Sequence, residues 1–236
     1  MSPNEIFDQI DDGGAAAEMA HEAAGSLEPG DTRLGFLKKA GLAGGAVMGS
    51  GALLSALTPA GAMAAGKGRP PAKFGKGDIG ILNYALTLEY LEAAFYNEAT
   101  ANKVASGAQE SAFLKRVTAD ENAHVAFLKK ALGSKAVAAP KVDFGDATSK
   151  SKWLATSMAL ENTGVKAYGG QALNISSPAY VGAALSIWAI EARHASVAGL
   201  LVKPTSMNIS PDGGAFNDTA TAAEVLKAVE KTGFLV

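Results

Sequence analysis

Apolar residues recur at spacings of three, four and seven along four long stretches between residues 78 and 204, the period of amphipathic helices. The first starts at Asp78, an acid suited to a helix N-terminus. It runs through Ile79, Leu82, Leu86, Ala93 and Tyr96 and fades between Asn102 and Gly107. The second opens at Ser106, whose spacing to Gln109 is that of a capping box. Its row is Phe113, Val117, Glu121, His124, Leu128 and Leu132, and Gly133 stops it. A connection over 134–148, with Pro140 and Gly145, leads to a third helix over about 149–173. Leu154, Met158, Glu161, Val165 and Tyr168 share its stripe, and Gly169-Gly170 are expected to end or kink it early. Ser177-Pro178, an N-cap with proline at the first helical position, announces the fourth. Its row is Ala184, Ile187, Glu191, His194, Ala198 and Leu201, and Pro204 ends it. A short helix over about 221–231 is amphipathic through Val225, Leu226 and Val229. None of these stretches alternates with the period of a strand.

Short first and third connections make antiparallel hairpins, and the longer middle one can cross over between them. The expected fold is all-α: an antiparallel four-helix bundle of two hairpins plus a short C-terminal helix. An internal repeat supports it. Glu89 stands seven residues before Tyr96, as Glu161 does before Tyr168, and each glutamate precedes a Glu-x-x-His motif by 32 or 30 residues.

Upstream of residue 78 the pattern differs. Residues 1–30 are acidic, Ala/Gly-rich and weakly periodic, a flexible leader. Over 31–65, Thr32-Arg33-Leu34-Gly35-Phe36-Leu37-Lys38-Lys39 precedes an apolar, Gly-rich run, Pro59 and the small-residue site Ala62-Met63-Ala64. That order is an export signal. It resembles a twin-arginine (Tat) signal with Leu34 where the second arginine stands; the alternative is an uncleaved membrane anchor. Residues 66–77, with Pro70-Pro71, read as a linker. The expected location is therefore the periplasm or cell envelope, without stable membrane association once the signal is cleaved.

Composition narrows the chemistry. The 236 residues contain no cysteine, which removes thiolate metal sites, iron–sulfur clusters and cysteine nucleophiles. A net charge of -2 gives no reason to expect nucleic acid as a partner. Against that background one constellation stands out. Glu121-Asn122-Ala123-His124 and Glu191-Ala192-Arg193-His194 place a carboxylate and an imidazole at i, i+3, neighbours on one helix face. In both cases the face is the apolar one. Glu89, between Leu86 and Ala93, and Glu161, between Met158 and Val165, lie on apolar faces too. An unpaired buried carboxylate costs several kcal/mol, and four would exceed roughly the 5–15 kcal/mol stability of a domain. No lysines or arginines share these stripes. Two divalent cations would neutralise four carboxylates while neutral imidazoles add ligands without charge. Mixed nitrogen and oxygen ligation suits Fe, Mn or Zn better than Ca or Mg.

The residues 78–202 resemble the ferritin-like superfamily, and within it the exported ferritin-like family that includes desiccation-related proteins. The run from Leu82 to Tyr96, Asp120-Glu121-Asn122-Ala123-His124 and Ile190-Glu191-Ala192-Arg193-His194 carry the likeness. The resemblance implies a ferritin-like domain over 78–236. Its metal ligands would be Glu89, Glu121, His124, Glu161, Glu191 and His194, with Glu121 and Glu191 bridging two metals, most readily iron. No catalytic residue is distinct from these ligands.

Other residues are assigned smaller roles. Glu92, one turn from Glu89, is an extra ligand or a rim carboxylate. Asp120 is expected to accept the free ring N–H of His194, a support that the other motif lacks because Ile190 stands at the matching place. Tyr96 and Tyr168 are expected to hydrogen-bond ligand carboxylates or to serve the core. Arg193 offsets charge or faces solvent, and Trp153 and Trp188 pack. The sequence encodes no pocket for an organic substrate. Two function classes stay open. One is a redox dimetal protein acting on dioxygen or peroxide, ferroxidase or peroxidase-like, with manganese catalase as a variant. The other is a non-enzymatic envelope protector with structural or vestigial metal. A rubrerythrin would need a four-cysteine centre, and a short last helix does not suit a storage cage. A homo-oligomer is compatible with either class.

Overall fold

The computed structural model describes residues 68–204 and 216–236. The leader over 1–30 and the export signal over 31–65 lie outside the described residues. Among the described residues five α-helices follow one another: α1 (Gly77–Ala101), α2 (Gly107–Leu132), α3 (Trp153–Gln171), α4 (Pro178–Val202) and α5 (Ala222–Thr232). α1 packs chiefly on α2, and α3 on α4, so the molecule is the two expected hairpins laid together with α5 against α3. Among the described residues no strand forms; Val142 and Leu235 make an isolated antiparallel bridge.

Helix ends follow local chemistry, not always as expected. Gly133 takes a positive φ of 55° and stops α2. Pro178 is the first residue of α4 as read, with Ser177 at the N-cap position but making no side-chain cap bond. The Ser106–Gln109 capping box does not form: Ser106 makes no side-chain cap, and its amide donates instead to Glu110 Oε2 at 2.7 Å. The carboxylate one residue further on takes the amide that the sequence assigned to glutamine. A reciprocal box does form at α5, between Thr221 and Glu224. α1 starts one residue before Asp78, which lies in its first turn; the Asp78 carboxylate accepts the amides of Ser176 and Ser177 at 2.9 and 2.8 Å, tying α1 to the α3–α4 turn.

α3 begins at Trp153, later than the periodicity suggests, because residues 145–152 form turns. It is not broken at Gly169-Gly170 either, but continues to Gln171. The two glycines instead let the chain cross closely. Ala220 donates its amide to Lys166 O at 3.1 Å, and a Cβ on Gly170 would sit 1.8 Å from Ala220 O. Gly170→Ala should therefore destabilise by roughly 3 kcal/mol, the upper range for overpacking, and lower the melting temperature by about 6–12 °C. Thermal melts of the purified variant check this. Residues 68–77, read as the end of a linker, lie on the bundle. Gly68 O accepts from Gln171 Nε2 and the Ala222 amide at 2.8 and 3.0 Å, and Phe74 is buried.

Two apolar clusters fill the interior. One joins Phe95, Tyr96, Phe113, Phe144 and Trp153; Trp153 stacks on Phe113 at 6.3 Å. The other joins Leu82, Leu86, Leu128, Tyr168 and Ile187. Phe95, Phe113 and Trp153 come from the C-terminal part of α1 and the N-terminal parts of α2 and α3. The second cluster takes the opposite halves, so the mid-helix carboxylates fall between two apolar layers. Among the described residues α4 is the helix long and apolar enough to cross a membrane, yet it presents Glu191 and His194 inward and packs on α3.

Candidate metal centre

Each of the four long helices brings carboxylate to the middle of the bundle. Glu89 (α1), Glu121 (α2), Glu161 (α3) and Glu191 (α4) have no solvent exposure, and His124 and His194 are buried beside them. The i, i+3 spacing sets each imidazole against its own helix's glutamate, and the hairpin pairing brings the other three carboxylates in. His124 Nδ1 lies 3.1 Å from Glu191 Oε1, 3.2 Å from Glu89 Oε2 and 3.3 Å from Glu121 Oε2. His194 Nδ1 lies 3.0 Å from Glu121 Oε1 and 3.2 Å from Glu161 Oε2.

Two donor groups result. One is Glu89, Glu121, His124 and Glu191; the other is Glu121, Glu161, Glu191 and His194. Within each group the donor atoms lie within 4.8 Å of one another, and Glu121 and Glu191 belong to both. All six sequence-selected residues are thus brought together, with the two shared glutamates between the outer pairs.

The cluster has the features of a cation site. Among the described residues no lysine or arginine is buried, so nothing fixed balances the carboxylates. Glu121 Oε1, Glu161 Oε2, both Glu191 oxygens and His194 Nδ1 are buried without a hydrogen-bond partner. Several of these same atoms are 3.0–3.2 Å apart, close enough to touch but out of line for hydrogen bonding. Ligands about 2.0–2.2 Å from a metal and at roughly right angles lie about 3 Å from each other. Donors spaced this way, with lone pairs not directed at one another, fit ligation of a shared cation.

Without metal, burial and mutual repulsion favour protonated groups in most of the cluster. Burial, then repulsion from Glu191 and Glu89, pushes Glu121 up to about 8. Glu191 is driven well above the carboxylate range by burial and by Glu89 and Glu161. Burial also raises Glu161. Burial opposes ionisation of Glu89 too, but His124, Glu121 and Tyr168 hold it low. Burial would depress His194, yet Glu121 and Glu161 outweigh it and raise it to about 11; His124 is raised in the same way.

The surrounding residues orient the ligands. Tyr96 donates to Glu161 and also meets Ser157 Oγ at 2.6 Å. Tyr168 donates to Glu89 Oε1 at 2.5 Å. The repeat is therefore reciprocal: each hairpin's tyrosine holds the other hairpin's glutamate. Asp120 Oδ2 lies 3.2 Å from His194 Nε2, as the sequence suggested, which leaves Nδ1 facing the carboxylates. Arg116, not singled out from sequence, pairs with Asp120 at 2.7 Å. Its signal was the i, i+4 spacing. Burial would raise Asp120, but Arg116 and His194 keep it below the usual range. Arg193 is exposed and bonds Ala189 O on its own helix at 2.8 Å, so it offsets no charge in the centre. Trp188 donates to Val165 O at 3.1 Å.

Glu92 is buried but belongs to neither donor group. Burial and the repulsion of Glu191, Glu161, Glu121 and Glu89 push its carboxyl well above the usual range. Gly164 makes the room: a Cβ there would lie 3.1 Å from Glu191 Oε2 and 3.3 Å from Glu92 Oε1.

Residues 77–204 match the family model of the ferritin-like domain. No curated protein matches the chain.

Proposed function

Because the chain belongs to the ferritin-like domain family, we propose that it holds a carboxylate-bridged pair of divalent cations and is redox-active through them. The observation that carries this is the sharing of Glu121 and Glu191 by two otherwise separate donor groups. Glu89 and His124 complete one metal position, and Glu161 and His194 the other. Iron suits the donor set best, with manganese and zinc as alternatives. A bound pair of iron ions would supply the two electrons that dioxygen or peroxide takes up, which is ferroxidase or peroxide-consuming chemistry.

The chain's own residues set the conditions for it. Tyr168 and Tyr96 fix the outer glutamates by hydrogen bonds, and Asp120 fixes the ring of His194. The apolar layers on both sides exclude bulk water and strengthen every charge interaction between them. The protein acts, in this reading, in the cell envelope as a stress protector of the exported, desiccation-related kind. The resemblance over 78–202 and the signal-like order of 31–65 support that placement.

The test starts from mature protein loaded anaerobically with Fe(II). On exposure it should consume dioxygen and develop the absorbance of oxo-bridged ferric ions. Tightly held zinc with no oxygen uptake would instead favour a non-enzymatic protector. A metal content near zero in protein with an intact fold would remove the reading.

A further inference from the structure

The two ends of the bundle offer different approaches to the centre. At one end, α2 and α4 are separated by a wide groove whose walls are mostly apolar but carry the charged or titratable side chains Arg116, Asp120, Arg193 and His194. At the other end, all four long helices enclose a small cavity of about 30 Å³. Its walls include Leu82, Ala85, Phe127, Ala184 and Ile187, and they are almost wholly apolar. Tyr168 forms part of the wall too, and its hydroxyl is one hydrogen bond from Glu89. Phe127, 45% exposed, stands on the solvent side. The cavity's lining thus includes both an exposed residue and one that touches the centre.

From this geometry we infer that the cavity is a binding site for an apolar diatomic gas and delivers dioxygen, rather than peroxide, to the Glu89 side of the centre. A cavity needs about 10–15 Å³ to hold one water-sized molecule, so this one takes about two. An apolar cavity of such size stays dry and accepts apolar guests. Dioxygen enters with no hydrogen bonds to lose. Hydrogen peroxide would leave its hydration behind, which costs several kcal/mol when no partner replaces it. The lining offers little in exchange. The Gln171 amide is engaged with Gly68 and Asn174, and the unpartnered hydroxyl of Tyr84 is a single group. Peroxide and metal ions are better served at the other end, where Arg116, Asp120 and His194 offer charged and hydrogen-bonding partners in the groove.

The inference rests on the redox reading above, and its test separates the two. Crystals of the metal-loaded, full-length protein are pressurised with xenon, and wild type is compared with Ala184→Phe. Ala184→Leu is the milder filling, used alongside in case the larger one fails to fold. Oxidation of Fe(II) is then timed with each oxidant. Two Fe(II) and two protons per dioxygen give two Fe(III) and one hydrogen peroxide; two Fe(II) and two protons per hydrogen peroxide give two Fe(III) and two waters. The expected result is a xenon peak in the wild-type cavity that the variants lose. Oxidation by dioxygen should slow roughly tenfold, equivalent to about 1.4 kcal/mol on the barrier, and oxidation by peroxide should not change. No xenon in the wild-type cavity, or equal effects of filling on both oxidants, overturns the inference. Wild type that takes up metal but oxidises Fe(II) with neither oxidant overturns the redox reading, and with it the delivery role, while the xenon peak still reports whether the cavity holds gas.

Discussion

Glu121→Gln should strip both metals from the centre and, at the same time, make the metal-free protein more stable than wild type. Loss of both metals follows from the sharing of Glu121 by the two donor groups. Glu161→Gln, which touches one group, should leave about one metal per chain, since each position in such a bundle keeps its own His and outer Glu. The gain in stability follows from the same carboxyl. Without metal it sits in a low-dielectric cluster that pushes it from 4.5 up to about 8. At pH 7 an unfolded chain ionises it freely while the folded chain cannot, a cost of up to about 3 kcal/mol by linkage. Glutamine keeps the shape and removes that cost. Metal reverses the order: cations that bind only the folded protein stabilise it by about 4 kcal/mol at a thousandfold excess over Kd, and the variant gains none of this. Metal counts per chain and paired melts, with chelator and with Fe(II) under anaerobic conditions, give the answer. A variant less stable than wild type under chelator would mean that the carboxylates are not in conflict, and the case for a cation between them would fail.

The parts of this molecule written in local spacing were readable before any fold was known. The six converging side chains follow from helical period plus burial, because an i, i+3 pair on an apolar stripe has one direction to face. The Asp120–His194 contact follows from the same geometry carried across one helix pair. The parts that depend on how hairpins meet were not readable. The repeat puts Tyr96 and Tyr168 in view, but only packing reveals that each serves the opposite hairpin's glutamate. Gly169-Gly170 read as a break by propensity; in the fold they are a crossing point, since the close approach of Ala220 lies in no local pattern. Glu92 shares the stripe of Glu89, yet it falls outside both donor groups, a matter of fractions of a turn. The cavity beside Tyr168 is the extreme case. It is space left between residues of four helices, and no run of residues spells it.

Stability of the metal-free protein should fall steadily as pH rises from about 5 to 9, and metal should abolish that slope. Glu121 keeps its proton in the folded state up to about 8, whereas the unfolded carboxyl loses it near 4.5. His194 keeps its proton up to about 11, whereas the unfolded ring loses it near 6.5. In both windows the folded state binds more protons than the unfolded one, so both contributions weaken with rising pH. Each extra proton is worth about 1.4 kcal/mol per pH unit. Between 6.5 and 8 the two windows overlap, giving a loss of about 2–3 kcal/mol per pH unit there. Glu89, held low, acts in the other direction, but only as acid approaches its lowered range. Cations occupy the positions these protons hold, so loading at neutral pH should expel about three or four protons per chain, as ligation of deprotonated donors requires. Affinity should accordingly rise with pH, and the loaded protein should lose stability toward acid, where protons compete for the same lone pairs. Melts from pH 5 to 9 with and without chelator, together with proton release followed in weakly buffered solution, measure both halves. Parallel stability curves, or loading without proton release, would show that the buried carboxylates and imidazoles are not where the metals go.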